Sequence, residues 1–287
     1  MKIYTIVVAV LVSISVSACG ESDDNPNLDN PDNTLPSSSS SSENIPVTQL
    51  EYDDTAIVGE DSSVGTLQAA PAFSDIASSA HGTFVKMPAG FVSSLHTHTG
   101  TYYAVVISGV AVNTAPGGEE KRLPVGSYWL QEGNEDHVTK CISSNECIFF
   151  MSQSIPFDIQ DANSNEISST SSSENIDVTQ LSYGVTGITG QDGTELQTAS
   201  AFGDIENGAH GTFVKMPAGF VSNIHSHSGE YYSVVIAGVA VNTTPGGDEV
   251  ELPAGSYWSQ EGGEDHVTKC ISSNECIFFM SQSVAFN

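Results

Sequence analysis

The apolar positions of this chain fall in short runs of β-branched and aromatic residues. Gly, Pro, Asn and Ser interrupt these runs, and no sustained 3.6-residue period appears. Six runs in the first half predict strands: Thr83–Met87, Tyr102–Ile107, Val110–Asn113, Ser127–Gln131, Val138–Ile142 and Cys147–Ser152. Turn signals separate them at Pro88-Ala89-Gly90, Pro116-Gly117-Gly118, Pro124-Val125-Gly126 and Ser143-Ser144-Asn145. Many short strands with regular turns predict an all-β sandwich or barrel, and a jelly roll suits a unit of this size.

The pattern occurs twice. His81 to Ser93 recurs unchanged at His210 to Ser222, and His137 to Ser154 at His266 to Ser283, with the same shift of 129 residues. That period is too long for a solenoid, so each copy is expected to be a domain. Ser-Ser-Ser-Glu-Asn-Ile precedes both copies, so the linker is duplicated too. The duplication looks recent, and identity between the copies is therefore weak evidence of constraint. The expected division is a leader over 1–18, a tether over 19–44, a first domain over 45–157, a linker over 158–173 and a second domain over 174–287.

Charge and composition add export and exclude a class of partner. Seven Lys and Arg stand against 35 Asp and Glu, a formal net charge of -28. Such an anion repels phosphate backbones, so no nucleic-acid partner is expected. Lys2 and the apolar stretch Ile3 to Ile14 read as a targeting segment, too short for a secure membrane span. Val16-Ser17-Ala18-Cys19 resembles a lipobox, which implies lipidation of Cys19 and cleavage before it; ordinary secretory cleavage after Ala18 is the alternative. Gly20 at the next position, by resemblance to lipoproteins of two-membrane bacteria, implies the outer membrane, at its periplasmic face or the cell surface. Glu21 to Ser42 and Asp158 to Ser173 are polar and Ser-rich and read as disordered tethers.

The candidate chemistry is a set of histidines. His96 and His98 stand two apart, so on a strand both imidazoles point to one face. His137 precedes another strand-like run and could meet them from a neighbouring strand; His225, His227 and His266 repeat the set. Three protein ligands with an open position is the pattern of a reactive rather than a closed metal site. Imidazole suits Fe, Zn, Mn, Ni or Cu, one divalent ion per domain.

These residues resemble the cupin superfamily. Its first motif is matched by Gly90, His96, His98 and Gly109, with Tyr102 where the family carries Glu. The second copy has Gly219, His225, His227, Tyr231 and Gly238. Its second motif is matched by Gly126 and His137, with Glu132 for Pro and Asn134 for Gly, and by Gly255, Glu261, Gly263 and His266. The resemblance covers both domains and implies two tandem jelly-roll barrels, a bicupin. The Phe-Val-Lys-Met-Pro-Ala-Gly-Phe lead-in and the Tyr-Tyr pair also look like a bacterial ChrR-like cupin family of unknown function. The loss of the Glu leaves metal binding in place, since some cupin dioxygenases resemble this arrangement in using three His alone.

Around the triads, Tyr102 and Tyr231 are candidates to hydrogen-bond a ligand on the metal or to pack in the barrel. Lys86 and Lys215 are candidate pocket cations for an anionic substrate, with a snorkelling surface position as the alternative. His81 and His210 read as satisfied strand histidines, and Trp129 and Trp258 as core. Asp136 and Asp265 are expected at the surface. Cys141 with Cys147, and Cys270 with Cys276, flank predicted hairpins and are expected to form disulfides in an oxidising compartment; a zinc site from all four is the rival. Three functions follow. One is a metal-dependent enzyme, dioxygenase-like or an isomerase or hydrolase, acting on a small molecule. Another is a non-catalytic, surface-tethered module binding a small molecule or metal. The third is a structural surface protein with vestigial barrels.

Overall fold

The computed structural model describes residues 42–162 and 173–286, which lie in one compact unit. The leader, Cys19 and the tether up to residue 41 lie outside the described residues, as does most of the linker. Among the described residues no helix is long and apolar enough to cross a membrane. The first copy carries β1 (Glu43–Ile45), β2 (Asp53–Val58), β3 (Thr66–Phe73), β4 (His81–Met87), β5 (His96–Thr97), β6 (Tyr102–Ser108), β7 (Val110–Thr114), β8 (Leu123–Pro124), β9 (Tyr128–Gln131), β10 (Val138–Cys141), β11 (Cys147–Gln153) and β12 (Gln160–Asp161). The second carries β13 (Glu174–Ile176), β14 (Gly184–Thr189), β15 (Glu195–Gly203), β16 (His210–Met216), β17 (Tyr231–Ala237), β18 (Val239–Thr243), β19 (Leu252–Pro253), β20 (Tyr257–Gln260), β21 (Val267–Cys270) and β22 (Cys276–Gln282). All six strands expected in the first copy form, and their counterparts form in the second.

Each barrel is a seven-stranded antiparallel sheet facing a three-stranded one. The first has the order β13-β9-β6-β11-β4-β3-β2 opposite β10-β7-β8, and the second β1-β20-β17-β22-β16-β15-β14 opposite β19-β18-β21. Alternation along the strands divides the side chains. One face of β4, β6, β9 and β11 fills the first barrel with Val85, Met87, Ala104, Val106, Trp129, Phe149 and Met151. The opposite face, with Phe84, Val105, Ile107, Tyr128 and Phe150, joins Phe213, Val234, Ile236, Tyr257 and Phe279 in one cluster shared by both copies. Phe73 stacks on Tyr232 at 3.7 Å between ring centroids, and Tyr103 on Phe202 at 3.6 Å. The Tyr128 hydroxyl donates to the Ala201 carbonyl, and that of Tyr257 to the Ala72 carbonyl.

The edge strands are exchanged. β1, the first strand of the first copy, pairs with β20 of the second, and β13, the first strand of the second copy, pairs with β9 of the first. Asn44 and Asn175 seal these pairings by donating from Nδ2 to the carbonyls of Asn242 and Asn113, each at 2.7 Å. The exchanged strands cover sheet edges that would otherwise present unpaired backbone groups. Glu43 and Asn44, read from composition as tether, therefore sit in the ladder of the second barrel. Asp158–Asp161, read as linker, runs beside the first barrel, where β12 pairs with β5.

Both expected disulfides are present, Cys141 to Cys147 and Cys270 to Cys276, each with Cα atoms 5.6 Å apart. Lys86 and Lys215 do not reach the lumen. Val85 and Met87 take the inward positions of β4, so the residue between them points outward. Lys86 Nζ lies 4.0 Å above the Tyr52 ring and 3.9 Å from Glu146, and Lys215 Nζ 4.1 Å above Tyr183 and 3.7 Å from Glu275. The pocket role is thereby corrected: each is a surface cation held by a ring and a carboxylate.

Candidate metal centre

His96 and His137 face each other as an antiparallel pair. His96 N donates to the His137 carbonyl at 3.1 Å, and His137 N to the His96 carbonyl at 2.9 Å. His98 follows two residues on, and its carbonyl accepts from Asn134 N at 2.7 Å. Asn134 has φ +62°, a conformation Asn tolerates better than most residues, which is how it replaces the Gly of the motif. Gly263 does the same in the second barrel, with φ +80° and a 2.7 Å bond to the His227 carbonyl.

This backbone frame brings one ring nitrogen from each of His96, His98 and His137 within 4.8 Å of the others, and likewise for His225, His227 and His266. Ring centroids in the first barrel are 4.2 to 5.3 Å apart. His96, His98 and His137 are 7%, 4% and 1% exposed. Their second nitrogens are committed: His96 Nδ1 donates to the Ser94 carbonyl at 2.8 Å, His137 Nδ1 to the Glu135 carbonyl at 3.0 Å, and His98 Nδ1 to the Asp158 carbonyl. A carbonyl can only accept, so each Nδ1 carries the proton and each Nε2 keeps its lone pair. In the second barrel His225 and His266 are anchored alike, on the carbonyls of Asn223 and Glu264, while His227 Nδ1 is buried without a partner.

Electrostatics point the same way. Burial pushes His98 down to about 4 and His137 to about 3, with the neighbouring imidazoles adding to the effect. His227 falls to about 3 and His266 to about 4, again chiefly through burial. In the first barrel the tautomers are fixed and the lone pairs converge, which is the donor set a transition-metal ion requires; the second barrel repeats the arrangement except that nothing holds His227 Nδ1. The residues present fit such an ion.

Tyr102 lies in the lumen, 4% exposed, with its hydroxyl 3.3 Å from His137 Nε2; Tyr231 is 3.0 Å from His266 Nε2. Trp129 Nε1 donates to the Tyr102 hydroxyl at 3.3 Å, and Trp258 to that of Tyr231 at the same distance. Burial pushes Tyr102 up to about 12 and Tyr231 up as well. His81 and His210, fully buried, bond the Thr83 and Thr212 hydroxyls through Nδ1 at 2.9 Å, with the Gln153 and Gln282 side chains alongside them. Burial holds His81 down at about 4, which Gln153 alongside partly offsets. Asp136 is partly buried and Asp265 exposed.

Several neighbours escaped the sequence reading. Phe157 packs on His98 with ring centroids 5.2 Å apart, and Phe286 on His227 at 5.1 Å. The signal was available, since this Phe is shared by both copies inside a divergent stretch. Asp158 contributes a backbone carbonyl, which no residue type reveals. Thr139, Asn113 and Gln131 form a buried chain of hydrogen bonds, 2.8 Å per link, behind the triad.

Fold and site together give two tandem cupin-like barrels, each with a cluster of three histidines. The chain belongs to the family described as Domain of unknown function (DUF4437), whose model matches residues 65–183 and 189–287. No curated relative matches it. Its fold is similar to that of a candidate dioxygenase from Nostoc punctiforme, with 14% identity over 85% of this chain and 83% of that one and a TM-score of 0.66. A candidate glyoxylate-induced protein from Pseudomonas aeruginosa shares 14% identity over 90% and 94% of the two chains, with a TM-score of 0.62. Oxalate decarboxylase from Lactobacillus farciminis shares 13% over 90% of each, with a TM-score of 0.55. At these identities the likeness is one of fold.

Proposed function

We propose that each barrel binds one divalent transition-metal ion through His96, His98 and His137, or His225, His227 and His266, and that the protein is a metal-dependent enzyme acting on a small molecule. The observation that carries this reading is the convergence of three imidazoles per barrel, all buried except the partly exposed His225, with ring nitrogens within 4.8 Å of one another. The bound ion would supply Lewis-acid or redox chemistry. Ser94, Glu135 and Asp158 orient the ligating rings through their carbonyls. Phe157 packs against His98 and keeps water from that ring. The similarity to oxalate decarboxylase and to a candidate dioxygenase supports an enzyme of oxidative or decarboxylating type.

Elemental analysis of protein purified without chelator should find about two metal ions per chain, one per triad. His137→Ala and His266→Ala should each remove one ion. Wild-type protein that stays metal-free after incubation with Fe, Mn, Zn, Ni or Cu salts would end this reading. A non-catalytic binding module is favoured by one observation: no carboxylate, Lys or Arg is buried among the described residues, which leaves few groups for acid–base work. Turnover of small carboxylates or diketones by the metal-loaded protein, lost with the triad, separates the two.

Export and anchoring belong to the same proposal. Lipidation of Cys19 would hold the barrels at the outer membrane through the acidic, Ser-rich segment that follows. Cys19→Ala should move the protein from the membrane fraction to the soluble exported fraction; unchanged fractionation would refute the anchor.

A further inference from the structure

We infer that Tyr102 and Tyr231 are the fourth protein ligands of the two metal centres, binding as phenolates where the cupin pattern carries Glu. The inference rests on the three-histidine reading above and extends it. Spacing is the first ground. Two donor atoms each about 2.1 Å from one ion, at angles between 90° and 109°, are about 3.0–3.4 Å apart. The tyrosine oxygens lie 3.3 Å from His137 Nε2 and 3.0 Å from His266 Nε2, which is the spacing of neighbouring ligands.

Charge is the second ground. Three neutral imidazoles leave the whole charge of a cation uncompensated in a water-poor lumen, and a buried charge without a counter-charge is costly. No Asp or Glu is buried among the described residues, and the cysteines beside each barrel's third histidine are tied in disulfides. Among the described residues that line the lumen, the phenol is the group able to supply a negative charge. The indole N–H is the third ground. Trp129 and Trp258 can only donate, and both donate to the tyrosine oxygen. A donor aimed at that oxygen stabilises the phenolate and leaves a lone pair facing the histidines. Phenolate ligation of iron has precedent in haem proteins.

The balance is simple. The phenol O–H bond breaks, the Oη–metal bond forms, and one proton per site leaves to solvent. No oxidant or reductant is consumed.

The test loads the full-length protein with Fe(III) or Cu(II) and records visible absorption, resonance Raman spectra and metal content together. A phenolate-to-metal charge-transfer band is expected, with ring modes that shift when tyrosine is ring-deuterated. Tyr102→Phe and Tyr231→Phe should each remove about half of the band, and the double variant all of it, with metal affinity at least tenfold weaker. Circular dichroism confirms that each variant is folded, and the deuterium shift in wild-type protein answers the question without a variant. Full metal content with no such band, or a band that survives the double substitution, overturns the assignment and leaves the histidine sites standing. Protein that takes up no metal at all sinks the histidine reading and this one with it.

Discussion

Replacing Phe73 with Ala should destabilise both barrels together, although Phe73 lies in the first copy. Its ring is 8% exposed, stacks on Tyr232 of the second copy at 3.7 Å and lies 6.4 Å from Phe150, while its other face rests on Gly82, where a Cβ would meet it at 2.2 Å. Removing a buried Phe costs about 3–5 kcal/mol, and little of the space can be refilled by a neighbour that is itself glycine. We expect a loss near 4 kcal/mol, which for a unit of this size lowers the melting temperature on the order of 10 °C. The chain has two tryptophans, Trp129 in the first barrel and Trp258 in the second, both fully buried. Trp129→Phe and Trp258→Phe backgrounds therefore leave one fluorescent reporter per barrel. In each background the urea transition with and without Phe73→Ala gives that barrel's response. The shared apolar cluster and the exchanged edge strands require equal losses at both reporters. A shift confined to the Trp129 reporter, or a loss below about 1 kcal/mol, would refute the claim that the barrels share one core.

Replacing Cys141 and Cys147 with Ala opens a loop of seven residues and should cost about 2.3 kcal/mol on the chain-entropy relation, measured by urea denaturation; no loss would mean that the hairpin is held by its ladder alone. Gly126→Ala places a side chain at φ +86° and 3.0 Å from Val178 at the point where the copies cross, and should cost about 1–2 kcal/mol; a neutral result would show that this crossing is loose. The pH dependence has a definite sign. His81 is held at about 4 in the fold against an ordinary 6.5, so below pH 6.5 the unfolded chain binds a proton that the folded chain refuses. The metal-free protein should lose stability as pH falls from about 6.5 to about 4 and change no further from this group below that. The His81 imidazole should stay neutral by NMR at pH 5; protonation near 6.5 would show that the site is hydrated.

The strands found from sequence are near-continuous runs of β-branched and aromatic residues bounded by turn signals, such as Tyr102–Ser108 and Cys147–Gln153. The ones passed over break a local rule. Thr66–Phe73 carries Pro71 next to an irregularity in its pairing with β4, and Asp53–Val58 is acidic and turns through Ala56 at φ 61°. Proline survives there because the pairing is already interrupted. The reading of Lys86 and Lys215 as candidate pocket cations came from their apolar strands, and only the inward positions of Val85 and Met87 showed which face they take.

The amino-acid order alone determined the duplication, the all-β class and the two histidine triads. These are one-dimensional facts: a repeat is visible by comparison, and residues two apart on a strand share a face whatever surrounds them. Tertiary structure alone decided that the copies exchange edge strands, that the Asp158 carbonyl orients His98, and that an indole N–H aims at the Tyr102 oxygen beside His137. Those depend on the register between strands far apart in the chain and on backbone atoms that every residue carries alike, and neither leaves a mark in residue type.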